Sequence, residues 1–451
     1  MQARNSITRR QFLGVGGLSL GTIAFTQASS GVAAQSLPRA KACILLYMDG
    51  GPSHIDLWDL KPEAPAEIRG EFRPIATSIP GIHVCEHLPR TAKQMHHLMQ
   101  IRSVRHAETI HDPAVYQMLT GHKHPIPQGN LTVQPTDFPQ MGTAFGAVDK
   151  SHAVMPKVIE IPETMKMDAR VLPGQNAGFL GAMRDPFRVQ VTTDARVVPP
   201  DIAPDLDNTP QRLRQRASLL RDISDQHRSS SDFNVFQRQA LDLLADPRMR
   251  RSFDLDLESD RVRDHYGRNR HGQSVLLARR LVEAGARFVT VYWGKELQDW
   301  AGDRGRVLAN NPWDTHRNHF PLLKDELLPR ADRALAALLE DLHQRGLLSE
   351  TLVVWMGDFG RTPMIERKYA SRDHWPHANT VLFAGAGIPG GAVHGRTDRH
   401  AAQVTEDPVT PGDLTATVYH LLGVDPKSTI RDRNGRSFPL TEGQPIRAIV
   451  A

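Results

Sequence analysis

The sequence predicts an α/β fold in which a mainly parallel sheet carries helices on both faces, and three features predict it. Short uninterrupted apolar runs recur along the chain, segments with helical spacing lie between them, and glycines close those segments. Strands that are apolar at every position suit a parallel sheet covered on both sides, and the alternation of strand with helix supplies the covering layers.

Residues 42–48, Ala-Cys-Ile-Leu-Leu-Tyr-Met, form the first such run, and residues 287–293, 351–356 and 380–384 repeat the pattern. Residues 274–283 read as a helix stopped by Gly285. A stronger helical pattern spans 322–345, where Leu323, Leu327, Ala331, Leu335, Leu338 and Leu342 recur every three or four positions and Gly346 ends the run. Residues 411–424, opening Pro-Gly-Asp-Leu, predict a short amphipathic helix near the C-terminus. Residues 122–215 are Pro-rich and irregular, as an insertion or cap over the sheet edge would be, and 205–265 are charged and largely helical in pattern. One domain over 35–451, with 122–265 as its cap and helical subregion, is therefore expected.

The N-terminus carries an address. Arg9 and Arg10 stand side by side ahead of Phe12 and Leu13, and a mild, glycine-rich apolar stretch follows to about Phe25. That stretch falls short of the ~20 mainly apolar residues of a spanning helix. Val32-Ala33-Ala34 supplies small residues for cleavage, so residues 1–34 read as a twin-arginine signal peptide and the mature protein is expected outside the cytoplasm. The net charge of +5 falls to +2 once Arg4, Arg9 and Arg10 leave with the signal. The remaining basic excess is scattered, which argues against nucleic acid as a partner. No second long apolar run exists, so stable membrane insertion after cleavage is not expected. Cys43 and Cys85 are the only two cysteines. They could pair in an oxidising compartment, although Cys43 lies in an apolar run where a buried free thiol is equally ordinary.

The 21 histidines, many beside aspartates, direct the search for chemistry. The first strand runs into Asp49-Gly50-Gly51-Pro52-Ser53-His54, and a carboxylate at the end of a central parallel strand points into the crevice where α/β proteins bind ligands. Asp314-Thr315-His316 precedes the long helix, and its oxygen and nitrogen donors suit zinc, iron or manganese. Asp358 follows the strand at 351–356 as Asp49 follows the first, and Arg372-Asp373-His374 precedes the next strand. The Asp358-Phe359-Gly360 triplet does not signal a protein kinase, because the other kinase motifs are missing. Arg361 and Arg372 are either guanidinium forks for a phosphate or sulfate group or partners of nearby acids. Together these loops form what a metal-assisted hydrolase needs: ligands for a cation, and cationic side chains for the anion.

Residues 48–56, 104–121, 313–319, 357–361, 372–375 and 411–424 resemble an exported family of unknown function, the domain of unknown function numbered fifteen-oh-one. That family is similar to sulfatases within the alkaline phosphatase superfamily, so the resemblance implies an alkaline-phosphatase/sulfatase-like three-layer sandwich. Sulfatases place a modified cysteine or serine eleven residues from a closing Leu-Thr-Gly, counting both ends. The run from His111 to Leu119-Thr120-Gly121 has that length and ending, so His111 occupies the nucleophile position. Phe359 stands where the superfamily has a second metal-binding residue, a histidine, and the spacing of Asp314 and His316 is shorter than in phosphatases.

The resemblance implies a divalent cation (zinc, calcium, manganese or iron) on Asp49, Asp314, His316, Asp358 and His374. His111 or His54 would serve as base or nucleophile, and Arg361 or Arg372 would bind the anionic group of a small sulfate or phosphate ester. The competing expectation is an exported binding or assembly protein that keeps the fold without the chemistry.

Overall fold

The computed structural model describes residues 40–151, 155–167, 169–198, 247–294 and 312–450, with four further helical positions at 212, 215, 218 and 219. Residues 1–34, read above as a signal peptide, and much of the charged 205–265 stretch lie outside the described residues.

Among the described residues, eight strands form one sheet: β1 (Ala42–Met48), β2 (Leu98–Val104), β3 (Val158–Ile161), β4 (Phe187–Arg188), β5 (Phe288–Tyr292), β6 (Thr351–Gly357), β7 (Asn379–Ala384) and β8 (Ala392–His394), in the spatial order β8-β2-β7-β6-β1-β5-β3-β4. Every neighbouring pair is parallel except those made by β7, which runs against both β6 and β2. β1 lies at the centre, paired over Cys43–Tyr47 with β5 and over its full length with β6. All seven of its residues are buried, as its unbroken apolar sequence requires.

The principal helices are α1 (His54–Leu57), α2 (His111–Thr120), α3 (Met141–Val148), α4 (Arg270–Glu283), α5 (His319–Leu322, continuing through Leu323–Leu327 into Leu328–Gln344) and α6 (Pro411–Leu421). Ile44, Leu46 and Met48 of β1 share one core with α4 and α5, whereas Cys43, Leu45 and Tyr47 share the opposite core with α2, α3 and α6. This is the expected three-layer arrangement, with alternate residues of one strand feeding two cores. α5 is not uniformly α-helical: Leu323–Leu327 is a π-turn. Pro329 accounts for it, since its ring nitrogen has no hydrogen to donate to the carbonyl one turn back. α4 begins earlier than the sequence suggests because the Asn269 side chain caps it at Gly272 N, and a capping box between Thr410 and Asp413 starts α6.

One expectation changes, and one open alternative is decided. The stretch at 122–215 is more than a cap, because β3 and β4 extend the sheet from within it. Glu160 breaks the apolar pattern of β3 yet is buried, held by Tyr292 Oη at 3.0 Å and Arg188 Nε at 3.2 Å. A disulfide does not form either. Cys43 and Cys85 are free, and they belong to the cores on opposite sides of the sheet. Burial pushes the Cys85 thiol up to about 12 and Cys43 higher still. Reaction with a thiol reagent is therefore expected to label neither cysteine in the native protein and both in denaturant. One or no thiol in denaturant without reductant would contradict this.

Candidate metal centre

The site forms where the carboxyl ends of the parallel strands release their loops. β1 runs into Asp49-Gly50-Gly51, β6 runs into Asp358, and α2 opens on His111 after β2. Because β7 runs the other way, the segment entering it delivers His374 to the same edge, and the loop before α5 brings Asp314 and His316. Gly51, at φ +81, allows this convergence: a Cβ there would lie 2.6 Å from the Phe359 ring.

His111, Asp314, His316 and His374 come together, with one ligand atom from each inside a 4.8 Å span. Asp314 Oδ1 lies 2.9 Å from His316 Nε2 and 3.1 Å from His374 Nε2, and those two nitrogens are 2.9 Å apart. The outer ring edges set the tautomers. His374 Nδ1 donates to the Thr109 carbonyl at 2.8 Å, and His316 Nδ1 donates to Asp373 Oδ1 at 2.9 Å. Both Nε2 atoms therefore turn lone pairs toward each other and toward a carboxylate, an arrangement that needs a positive centre. A proton satisfies one pair, whereas a metal ion satisfies all three. Tetrahedral zinc with bonds of about 2.0–2.1 Å spaces its ligand atoms about 3.3 Å apart, close to the separations seen. The residues present therefore fit a metal ion.

His111 bridges two acids. Its Nδ1 lies 2.7 Å from Asp358 Oδ2, and its Nε2 lies 3.2 Å from Asp314 Oδ2, near enough to pair electrostatically but not aligned as a hydrogen bond. Burial alone would lower this imidazole, but the carboxylates on its two edges outweigh burial and raise it to about 9. Burial lowers His374 to about 4. Burial would raise Asp314 too, but Arg361 and the three histidines hold it well below the usual carboxylate range. Phe359 is fully buried and packs its ring 4.3 Å from His374 and 5.0 Å from His111, forming an apolar wall.

Asp49 and Asp358 stand beside this cluster rather than in it. Asp358 Oδ2 accepts from Gly50 N at 3.2 Å, while Asp358 Oδ1 and Asp49 Oδ1 are buried without a partner among the described residues. Burial and then the charge of Asp358 push Asp49 up to about 8. Two orphaned carboxylate oxygens at one strand edge again mark a place short of positive charge.

The other three expected residues turn inward. Arg361 is wholly buried; Nε donates to Gly51 O at 2.9 Å, Nη1 to Arg372 O at 3.2 Å, and Nη2 to Gly50 O, to Trp313 O at 2.9 Å and to Asp314 Oδ1 at 2.7 Å. Arg372 is equally buried, bound to both oxygens of Asp56 at 2.7 and 2.9 Å and to the carbonyls of Thr362, Pro363 and Ile68. With their donors committed, neither guanidinium offers the anion-binding fork expected of it. His54 is not a base in this geometry, because its Nε2 bonds the Ala401 carbonyl at 2.8 Å and its Nδ1 accepts from Arg361 N at 3.3 Å. Sequence reasoning passed over Asp373, which orients His316 from a position next to His374; the adjacent acid was the available signal.

Fold and site thus define an α/β protein whose sheet edge carries a His/Asp cluster able to hold a metal ion. A family model described as "Protein of unknown function (DUF1501)" matches residues 40–450, and the chain belongs to that family. No curated protein matches it. Among solved structures it is similar to the PsFucS1 sulfatase from Pseudoalteromonas sp., at 12% identity and TM-score 0.41, covering 85% of this chain and 68% of that one. It is also similar to the C-terminal periplasmic domain of EcEptC from Escherichia coli in complex with Zn, at 10% identity and TM-score 0.36, covering 86% and 84%. A third is a protein in the alkaline phosphatase superfamily from Vibrio parahaemolyticus, at 12% identity and TM-score 0.40, covering 86% and 68%.

Two outcomes are expected. Because His111, raised by the carboxylates of Asp314 and Asp358, holds a proton at neutral pH, zinc binding to Asp314 at pH 7 should release about one proton. Calorimetry in buffers of different ionisation enthalpy measures this, and zero net release would contradict it. Arg372→Met leaves Asp56 buried without its guanidinium and should cost about 3–5 kcal/mol at pH 7. Burial would raise Asp56, but Arg372 and then His319 hold it well below its ordinary value. The stability this supplies is present above that ordinary value and lost as the pH falls. Urea denaturation at pH 7 and pH 3 should show a smaller wild-type advantage at pH 3; an equal difference at both would contradict the assignment.

Proposed function

We propose that this protein is an exported, metal-dependent hydrolase of phosphate or sulfate esters, with the cation held by Asp314, His316 and His374. One observation carries the reading: two imidazole lone pairs, oriented by outer hydrogen bonds, meet a carboxylate oxygen at mutual distances of 2.9–3.1 Å. Three protein ligands leave a coordination position open, as catalytic sites do. The imidazole-rich set favours zinc or iron over calcium, which prefers oxygen ligands. When bound, such a cation polarises the ester oxygen and makes a nearby water acidic.

The protein's own groups supply the rest. His111 is the base: Asp358 orients its Nδ1 edge, and its Nε2 edge faces the cluster. Neutralising Asp314 removes part of the charge that raises His111 and moves the imidazole toward the range where a base works. Phe359 excludes water from behind both rings. Arg9 and Arg10 support export of the folded protein, and no helix among the described residues is long and apolar enough to cross a membrane.

The inward commitment of Arg361 and Arg372 favours a second reading, a metal-holding binding protein without turnover. A metal-content measurement paired with a panel of phosphate and sulfate monoesters separates the two. Near-stoichiometric metal is expected in wild type and less than a tenth of it in Asp314→Ala. His111→Gln should keep its metal and lose roughly 10²–10⁴-fold in ester turnover. Metal without turnover on any ester supports the second reading, and no metal in wild type refutes both.

A further inference from the structure

Asp56, on α1, is no member of the cation cluster, yet it is tied to both segments that deliver the cluster's ligands. It is buried, and its carboxylate accepts from Ser53 Oγ, from Arg372 Nε at 2.7 Å and Nη2 at 2.9 Å, and from His319 Nε2 at 2.9 Å. Arg372 begins one branch: the next residue, Asp373, holds His316 Nδ1 at 2.9 Å, and the one after that is His374. His319 begins the other. Its Nδ1 lies 2.7 Å from Thr315 Oγ1, and Thr315 stands in sequence between Asp314 and His316.

Hydrogen positions along the second branch follow from its ends. Asp56, ionised beside Arg372, can only accept, so His319 Nε2 carries a hydrogen. Burial lowers this imidazole and leaves it neutral, with an Nδ1 lone pair that accepts from the Thr315 hydroxyl. The Thr315 hydroxyl is thus bonded to a ring that is wholly buried and fixed at both nitrogens, and Thr315 itself is 2% exposed. Asp314 and His316 lie on a loop, where ligand atoms are held less closely than on a helix or strand, and a working site needs them placed to about 0.5 Å. The bond from Thr315 to His319 gives that loop a fixed point between its two ligands.

We infer that Thr315, anchored through His319 to Asp56, is a positioning residue that sets the affinity of Asp314, His316 and His374 for their cation. The inference rests on the cation site of the proposed function and adds to it a residue whose hydroxyl bonds none of the three ligands. A role in stability alone would make Thr315 matter for folding and leave the affinity of the folded protein unchanged.

Zinc affinity, read by competition with a chromophoric chelator at pH 7, separates these roles in the full-length protein. Wild type is compared with Thr315→Val, which keeps the shape and removes the hydroxyl, Thr315→Ser, which keeps the hydroxyl, and Asp332→Asn. Asp332 is the control: it is buried about 20 Å further along α5 and accepts from Arg90 N at 3.0 Å and Thr91 N at 2.6 Å. Circular dichroism verifies that each variant is folded before titration. Thr315→Val should bind zinc roughly 10–100-fold more weakly, as loss of an outer contact to a metal site does. Thr315→Ser should bind as wild type does, and Asp332→Asn should lose stability but keep its zinc affinity. Wild-type affinity in Thr315→Val, equal weakening in Thr315→Ser, or equal weakening in Asp332→Asn overturns the inference and leaves the cation site standing. Absence of zinc binding by wild type overturns the cation site itself, and the inference with it.

Discussion

The guanidinium of Arg361 is the interaction on which the rest of the site depends. It is a full positive charge with no exposure, and it fastens the loop after β1 through Gly50 and Gly51, the loop before α5 through Trp313, and the segment entering β7 through Arg372. Its only carboxylate partner among the described residues is Asp314, the residue around which the histidines gather. Removing one member of such a buried pair typically costs about 3–5 kcal/mol, so loop geometry and the acidity of Asp314 are set together. A residue that resembles an anion receptor in sequence is here the keystone of the loops.

A second buried knot supports the first. Arg372 grips Asp56, and Asp56 also meets His319 Nε2 at 2.9 Å, which ties the start of α5 to α1. Thr315 Oγ1, 2.7 Å from His319 Nδ1, passes that restraint back to the loop carrying Asp314 and His316. Asp373, next to Arg372, orients His316 directly. Such outer contacts decide which nitrogen of each imidazole faces inward, and hence whether the cluster can take a cation.

Much of this was legible in sequence where one physical demand dominated. The runs at 42–48 and 351–356 match β1 and β6 because strands buried on both faces must be apolar throughout. The strand Leu98–Val104 was missed because Gln100, Arg102 and Ser103 interrupt the pattern; Arg102 is tied down by Gln100 and Asp59, contacts invisible locally. Asp-x-His spacing led to Asp314 and His316, and a family resemblance led to His374 and His111. The same reasoning could not tell an arginine facing solvent from one facing in. It also could not see that Phe359, read as a lost ligand, packs against the rings of two histidines. Those distinctions depend on contacts between residues more than 300 positions apart.

The central claim is that imidazoles and a carboxylate converge on one cation. X-ray absorption at the metal edge of zinc-reconstituted protein tests it most directly. The expected result is a four- or five-coordinate N/O shell at about 2.0–2.1 Å with the outer-ring scattering of at least two imidazoles, which Asp314→Ala abolishes. An oxygen-only shell without imidazole scattering, or a spectrum unchanged by Asp314→Ala, would contradict it.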